Sequence, residues 1–453
     1  MSIVTRLSNL RFEISEPQCK LIFGATNHTT MKSLITLVIA SAVSAGCIAQ
    51  TVKLPKNAMG RLELNVAALA NDFMEGRGTG TAGEQKAAEY IVRDFQRFKL
   101  EAKGDSSWYQ RFTFVPHGAA QIHHKGDSAS LGMALVKEIT GRNVLGYIDN
   151  KAATTVVIGA HYDHLGMGDE NSLWTGPKAI HNGADDNASG VSVMLELAYW
   201  LSKHPKETRG HNYLFIGFSG EEKGLLGSNH FTKNPTIPLK DIAYMINMDM
   251  VGRLNKERSL AINGVGTSPS WMPVINGISV DSLVIVTSES GMGASDHTSF
   301  YLSDIPAVHF FTGQHEDYHK PSDDFEGKIN VKGMASVTNY IQHMIVAMDD
   351  EVKPAFTKTK DASPSASDFK VTLGVMPDYL YSGKGLRIDG CKDGKPGSKA
   401  GLMKGDTIMK LGDFDIEDIY GYMEALGKFE KGQSTTMMVE REGKLVELKV
   451  TWE

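Results

Sequence analysis

Four short apolar runs in this chain end on imidazoles or carboxylates. Thr154 to Ala160 (TTVVIGA) runs into His161-Tyr162-Asp163-His164, and Tyr213 to Phe218 runs into Ser219-Gly220-Glu221-Glu222. Ala243 to Met248 ends at Asp249, and Ala307 to Phe311 leads through a loop to His319. Between the first two runs lies Gly183 to Gly190, with Asp185, Asp186 and Asn187 at its centre. Each group alone has an ordinary reading. Acids at a helix start complement its dipole, and Asp or Asn before a helix caps it. Together they point to a metal site. Imidazoles and carboxylates without a thiolate suit zinc, with manganese or cobalt as substitutes. Five such groups exceed what one tetrahedral zinc with an open position uses. They fit two ions roughly 3.5–4 Å apart that share a bridging carboxylate and a hydroxide.

Positioning these groups is the task of the elements around them. Gly83 to Leu100 carries Ala88, Ile91, Phe95 and Phe98 at helical spacing. Asn187 to Lys203 opens on capping residues and continues with Val191, Met194, Leu195, Ala198 and Leu201 on one face. Alternation of these with the β-branched runs predicts an α/β domain: a mostly parallel central sheet flanked by helices. In open α/β sheets ligands bind outside the carboxyl ends of the strands, where the polar groups fall. Two other patterns carry less. His315-Glu316-Asp317-Tyr318-His319 matches H-E-x-x-H, but that motif works only on a helix, and Gly313 and Pro321 bracket a loop. Gly217-Phe218-Ser219-Gly220 lacks the glycine spacing of a nucleophile elbow.

In order along the chain, HYDH, GADDNASG, SGEEKGLLGS, NMDMVGR, SDHTSF and DYHKPSDD, with MEGRGTGTAGEQKAAEY upstream, resemble the M28 family of zinc aminopeptidases over roughly residues 60 to 350. The resemblance implies a zinc-exopeptidase type of fold and an exported di-zinc enzyme that removes N-terminal residues from peptides. By the same resemblance His161 and Asp249 hold one zinc, Glu222 and His319 hold the other, and Asp186 bridges them. Glu221 is then the general base, taking a proton from a metal-bridged hydroxide's parent water and returning it to the leaving amine. Asp163 accepts the second N–H of His161. Tyr318 either polarises the substrate carbonyl or packs against its loop. Asp296, His297 and Phe300 fall where the family lines its specificity pocket, and a cis peptide is implied at Asp186-Asn187. The rival enzyme is a glutaminyl cyclase, similar in fold but using one zinc. A rival of another class is a catalytically silent module that binds peptides through its C-terminal domain.

Composition narrows the field further. The 453 residues are 41% hydrophobic and 22% charged, which rules out disorder throughout. A net charge of -6 argues against a nucleic-acid partner. Three cysteines exclude a disulfide scaffold. Met31 to Gln50 (MKSLITLVIASAVSAGCIAQ) has the basic start, short apolar run and small residues of a signal peptide over 31–49. Residues 1–30 are then a non-native extension, with translation starting at Met31. The expected location is the periplasm or the medium, with a lipid anchor on Cys47 as the lesser alternative, and no transmembrane segment in the mature chain. The peptidase domain spans 50–349, a Pro/Ser/Lys-rich linker spans 350–368, and 369–453 reads as short strands with one helix. In that last piece Gly385 to Cys391, GSKAGL (397–402) and GDTI (405–408) resemble a PDZ domain of the bacterial periplasmic-protease type. The resemblance implies a C-terminal peptide ligand held near Leu373-Gly374-Val375.

Overall fold

A computed structural model describes residues 56–115, 138–168, 171–359, 370–378, 381, 383–391, 394–417 and 419–453. The expected extension, signal peptide and Cys47 lie outside the described residues, as do residues 360–368 of the expected linker.

The elements are, in chain order, α1 (Ala58–Leu69), α2 (Ala82–Phe98), β1 (Glu101–Ala102), β2 (Tyr109–Phe114), β3 (Ile139–Ile148), β4 (Thr154–His161), α3 (Gly190–Lys203) and β5 (His211–Phe218). There follow α4 (Leu226–Lys233), β6 (Ile242–Met248), β7 (Ser259–Asn263), α5 (Trp271–Gly277), β8 (Val284–Ser288), α6 (His297–Tyr301), β9 (Ala307–Phe311) and α7 (Val331–Ala347). Nine strands form one sheet in the order β1-β3-β5-β4-β6-β9-β7-β8, with β2 also on β3. The parallel pairing is concentrated at the centre: β5, β4, β6 and β9 run the same way. The flanks are antiparallel where β3 meets β5 and β7 meets β9. The sheet is therefore mixed, with a parallel core.

That core explains the apolar runs. Every residue of β4, β5 and β6 is buried, so these strands carry no alternation of polar and apolar residues. Val157, Leu214, Ile216, Phe218 and Met245 pack with Phe231 of α4 and Phe300 of α6. Burying a Phe of this kind contributes about 1.5–3 kcal/mol. On the other side α3 packs against β4, β5 and β6, and α1, α2 and α7 pack on α3. The consequence for function is that four strand ends are fixed side by side in a rigid core.

Helix α3 starts at Gly190, three residues later than the spacing predicts. Asp186 and Asn187 take non-helical backbone angles, and the peptide between them is cis. Asn187 still caps: its Oδ1 accepts the N–H of Gly190 at 2.9 Å and that of Met250 at 3.1 Å. Its Nδ2 donates to Met248 O at the end of β6. The capping reading thus belongs to Asn187, and Asp186 is left for the site. Gly190 is required here, since a Cβ would stand 2.5 Å from Met248 O.

Residues 370–453 build a second sheet with its own core. It contains β10 (Val375–Pro377), β11 (Leu386–Cys391), α8 (Pro396–Ala400), β12 (Thr407–Leu411), β13 (Phe414–Asp415), α9 (Ile419–Leu426), β14 (Ser434–Arg441) and β15 (Lys444–Thr451). Two helices therefore stand where the sequence suggests one. The strand order is β10-β11-β12-β14-β15, with β13 on β12. Leu373, Ile388, Ile408, Met437, Val439 and Trp452 fill the core. The described start of the expected linker lies against the larger domain: Thr154 Oγ1 donates to Val352 O, and Thr357 N donates to Thr267 O. Among the described residues no helix is long and apolar enough to cross a membrane.

Candidate metal centre

His161 is the last residue of β4, and its Nε2 lies 3.2 Å from Asp249 Oδ1 and 3.3 Å from Asp186 Oδ1. His319 arrives on the loop after β9, with Nε2 3.2 Å from Asp186 Oδ2 and 3.1 Å from Glu222 Oε2. Asp186 therefore gives one oxygen to each imidazole. The five residues sit at the ends of β4, β5, β6 and β9 and in the loop before α3, and all are buried. The loop fits tightly beneath them. Gly183 has a positive φ of 54°, and a Cβ there would meet Asp186 O at 2.0 Å.

The far ring nitrogens face main-chain carbonyls. His161 Nδ1 is 3.3 Å from Asp163 O, and His319 Nδ1 is 2.9 Å from Asn171 O. A proton on each Nδ1 leaves the Nε2 lone pair aimed at carboxylate oxygens. Lone pairs at such distances need a cation between them. Burial disfavours a proton on His161, yet Asp249, Glu221 and Asp186 outweigh it and raise the pKa well above the ordinary value. Burial likewise opposes the charged form of His319, and Glu222 and Asp186 prevail. The field that draws protons here draws a divalent ion more strongly, and the donor set suits zinc.

The adjacent glutamates are pulled in opposite directions. Burial raises Glu221 well above the usual carboxylate range, with Asp249, Glu222 and Asp296 adding and His161 opposing. Burial also acts on Glu222, but His319 and the bonds from His164 and His319 hold it at about 2. One neighbour is fitted to carry a proton and the other to stay an anion.

Asp163 reaches His161 differently from the expectation. Its carboxylate Oδ1 is 3.8 Å from Nδ1, farther than its own carbonyl. The carboxylate instead accepts Thr79 Oγ1 at 2.8 Å and the N–H of Glu221 at 3.1 Å, so it fixes the backbone that carries the two glutamates. Tyr318 lays its ring on that of His319, with centroids 3.8 Å apart. Asp296 and His297 are fully buried, and His297 stacks on His309 at 4.7 Å. Phe300 belongs to the hydrophobic core. His315 does not share a metal position with His319: the H-E-x-x-H stretch is a loop, and His315 Nε2 sits 3.2 Å from Asp185 Oδ2.

Two participants escape the sequence reading. His164 Nδ1 is 2.7 Å from Glu222 Oε1, which leaves Oε2 for the centre. His164 stands inside the HYDH motif, so its spacing to His161 was the available signal. Asn171 meets both His319 and Glu222, through its carbonyl facing His319 Nδ1 and its Nδ2 donating to Glu222 O. It lies in an irregular loop with no motif to mark it.

With this geometry in place, the likenesses to other proteins can be weighed. Residues 143–345 match the model of peptidase family M28. That span contains His161, Asp186, Glu221, Glu222, Asp249 and His319. Aminopeptidase YwaD of Bacillus subtilis is 30% identical over 259 residues, covering 53% of this chain and 52% of that one. A probable leucine aminopeptidase of Arthroderma otae is 32% identical over 172 residues, 36% of this chain and 45% of that one. The chain thus spans about half the length of the curated relatives it matches. A Zn-dependent exopeptidase from Parabacteroides distasonis has the same fold, with a TM-score of 0.50 at 17% identity over 65% of this chain and 99% of that one.

Proposed function

We propose that this chain is an exported metallo-aminopeptidase that removes N-terminal residues from peptides. The observation that carries the reading is Asp186, which offers Oδ1 to the His161–Asp249 half and Oδ2 to the His319–Glu222 half. His161 and Asp249 would hold one zinc, Glu222 and His319 a second, and Asp186 both. Zinc, when bound, supplies a Lewis acid that activates water and polarises the scissile carbonyl. Glu221 accepts the proton of the attacking water and delivers it to the leaving nitrogen as the C–N bond breaks. Asp163 keeps Glu221 in place by accepting its main-chain N–H, and Tyr318, stacked on His319, would polarise the carbonyl oxygen. The surplus of carboxylates favours a substrate with a free α-amino group.

Export follows from the signal-like segment 31–49. The fold of 370–453 supports a PDZ-like module as well. β10 is an edge strand of its sheet, and an edge strand beside Leu373-Gly374-Val375 accepts a peptide C-terminus by strand addition.

Substrate terminus tests the reading. Zinc-loaded protein is given one peptide with a free and one with an acetylated N-terminus. Stepwise shortening of the free peptide alone is expected. Internal cleavage of both contradicts it, and loss of ammonia from an N-terminal Gln without shortening favours the one-zinc cyclase.

A further inference from the structure

Arg77 has no exposed surface, and its guanidinium uses every N–H on a main-chain carbonyl. Nε donates to Tyr162 O at 2.8 Å, Nη1 to Leu69 O at 2.7 Å and Asn182 O at 2.6 Å, and Nη2 to Gly183 O at 2.9 Å and Asp186 O at 3.5 Å. Two of the segments that build the centre, the strand end at 161–164 and the loop at 182–186, thus hang from one cation. Asp323 grips the second segment from its other polarity. Its Oδ2 accepts the N–H groups of Asp185 and Asp186, both at 3.0 Å. Asp323 is itself held by Arg253 at 3.0 Å, and Arg253 is held by Asp317 at 2.9 Å.

We infer that Arg77 and Asp323 are positioning residues that clamp the Asp186 loop, carbonyls on one side and N–H groups on the other, so that the bridging carboxylate is set for zinc before zinc arrives. The proposal rests on the reading of Asp186 as the shared ligand. Two physical effects follow from the clamp. The fork of Arg77 fixes the loop where a carboxylate misplaced by a fraction of an ångström would serve only one ion. Its buried charge interacts favourably with Asp186, Asp323, Asp163 and Glu222 and offsets their mutual repulsion. Lysine cannot replace it, having three donors on a point rather than five in a planar fork.

The experiment is zinc affinity, measured on the full chain by competition with a chromophoric chelator. Arg77→Lys and Asp323→Asn are compared with wild type, with Asp186→Ala as the site control and Arg61→Met as a stability control. Arg61 forms a buried pair with Glu196 at 2.6 Å on α3, and its loss is expected to lower stability without removing a hydrogen bond of the clamp. Both clamp variants are expected to bind zinc about 10- to 100-fold more weakly while folded by circular dichroism, the range for groups that orient metal ligands. Arg61→Met is expected to melt earlier with zinc affinity unchanged. Wild-type affinity in folded Asp323→Asn overturns the proposal, and so does wild-type affinity in folded Arg77→Lys. If Arg77→Lys does not fold, Asp323→Asn decides alone. A wild-type protein that binds no zinc refutes the site reading itself, a distinct result.

Discussion

Asp186 is the residue on which the centre turns. Each of its oxygens lies 3.2–3.3 Å from a different imidazole, so its loss is felt on both sides. Asp186→Ala is expected to abolish both zinc ions, whereas His319→Ala should remove one and leave the His161–Asp249 position filled. Elemental analysis of the dialysed proteins checks this, and one retained ion in Asp186→Ala contradicts a shared ligand. The neighbouring pair Glu221 and Glu222 shows how environment divides like residues. They are adjacent in sequence, yet His319 and His164 hold Glu222 ionised while burial, with Asp249 and Asp296, pushes Glu221 the other way. The proposed ligands and Glu221 stand in motifs that single them out in the sequence. The placement of the Asp163 carboxylate was not legible there, because only the loop conformation decides whether Asp163 meets His161 through its carbonyl or its carboxylate.

At the scale of elements, strands and helices were readable because burial on both faces leaves predominantly apolar runs without polar alternation in β4, β5, β6 and β9. Helix α3 was misjudged at its start because capping residues and site residues share the same types. Antiparallel flanks were hidden too, since strand direction depends on partners distant in sequence. Behind the site, Glu84 of α2 sits in a buried knot with Ser219 Oγ, Tyr162 OH and the N–H of Gly80. Burial raises its pKa to about 7, against the bonds from Ser219 and Gly80. A raised carboxyl keeps its proton in the folded state after the unfolded chain has lost its own. Stability is therefore unaffected below the unfolded value near 4.5, falls as pH rises from there to about 7, and stays lower above. The span corresponds to about 3 kcal/mol at most. Glu84→Gln should flatten this part of the curve, read from urea unfolding of the metal-free protein at pH 5 and pH 8. An unchanged pH slope contradicts the assignment.

For the whole molecule, the large sheet and the C-terminal sheet each close a core of their own, and the clustered imidazoles and carboxylates all belong to the first. Overall charge and composition spoke only to what the chain is not. The ordered motifs spoke to the centre, and the fold supplied what they lacked: convergence of four strand ends and a loop on one buried volume. The claim that unites these scales is that Glu221 drives N-terminal hydrolysis at a zinc-loaded site. Its direct test is to give zinc-loaded wild type and Glu221→Gln a mixed peptide library and follow the products by mass spectrometry. Wild type should produce ladders shortened from the N-terminus, and Glu221→Gln, with zinc retained, should do so about 10²–10⁴-fold more slowly. Equal rates in the two proteins, or no N-terminal ladder from zinc-loaded wild type, would contradict the account.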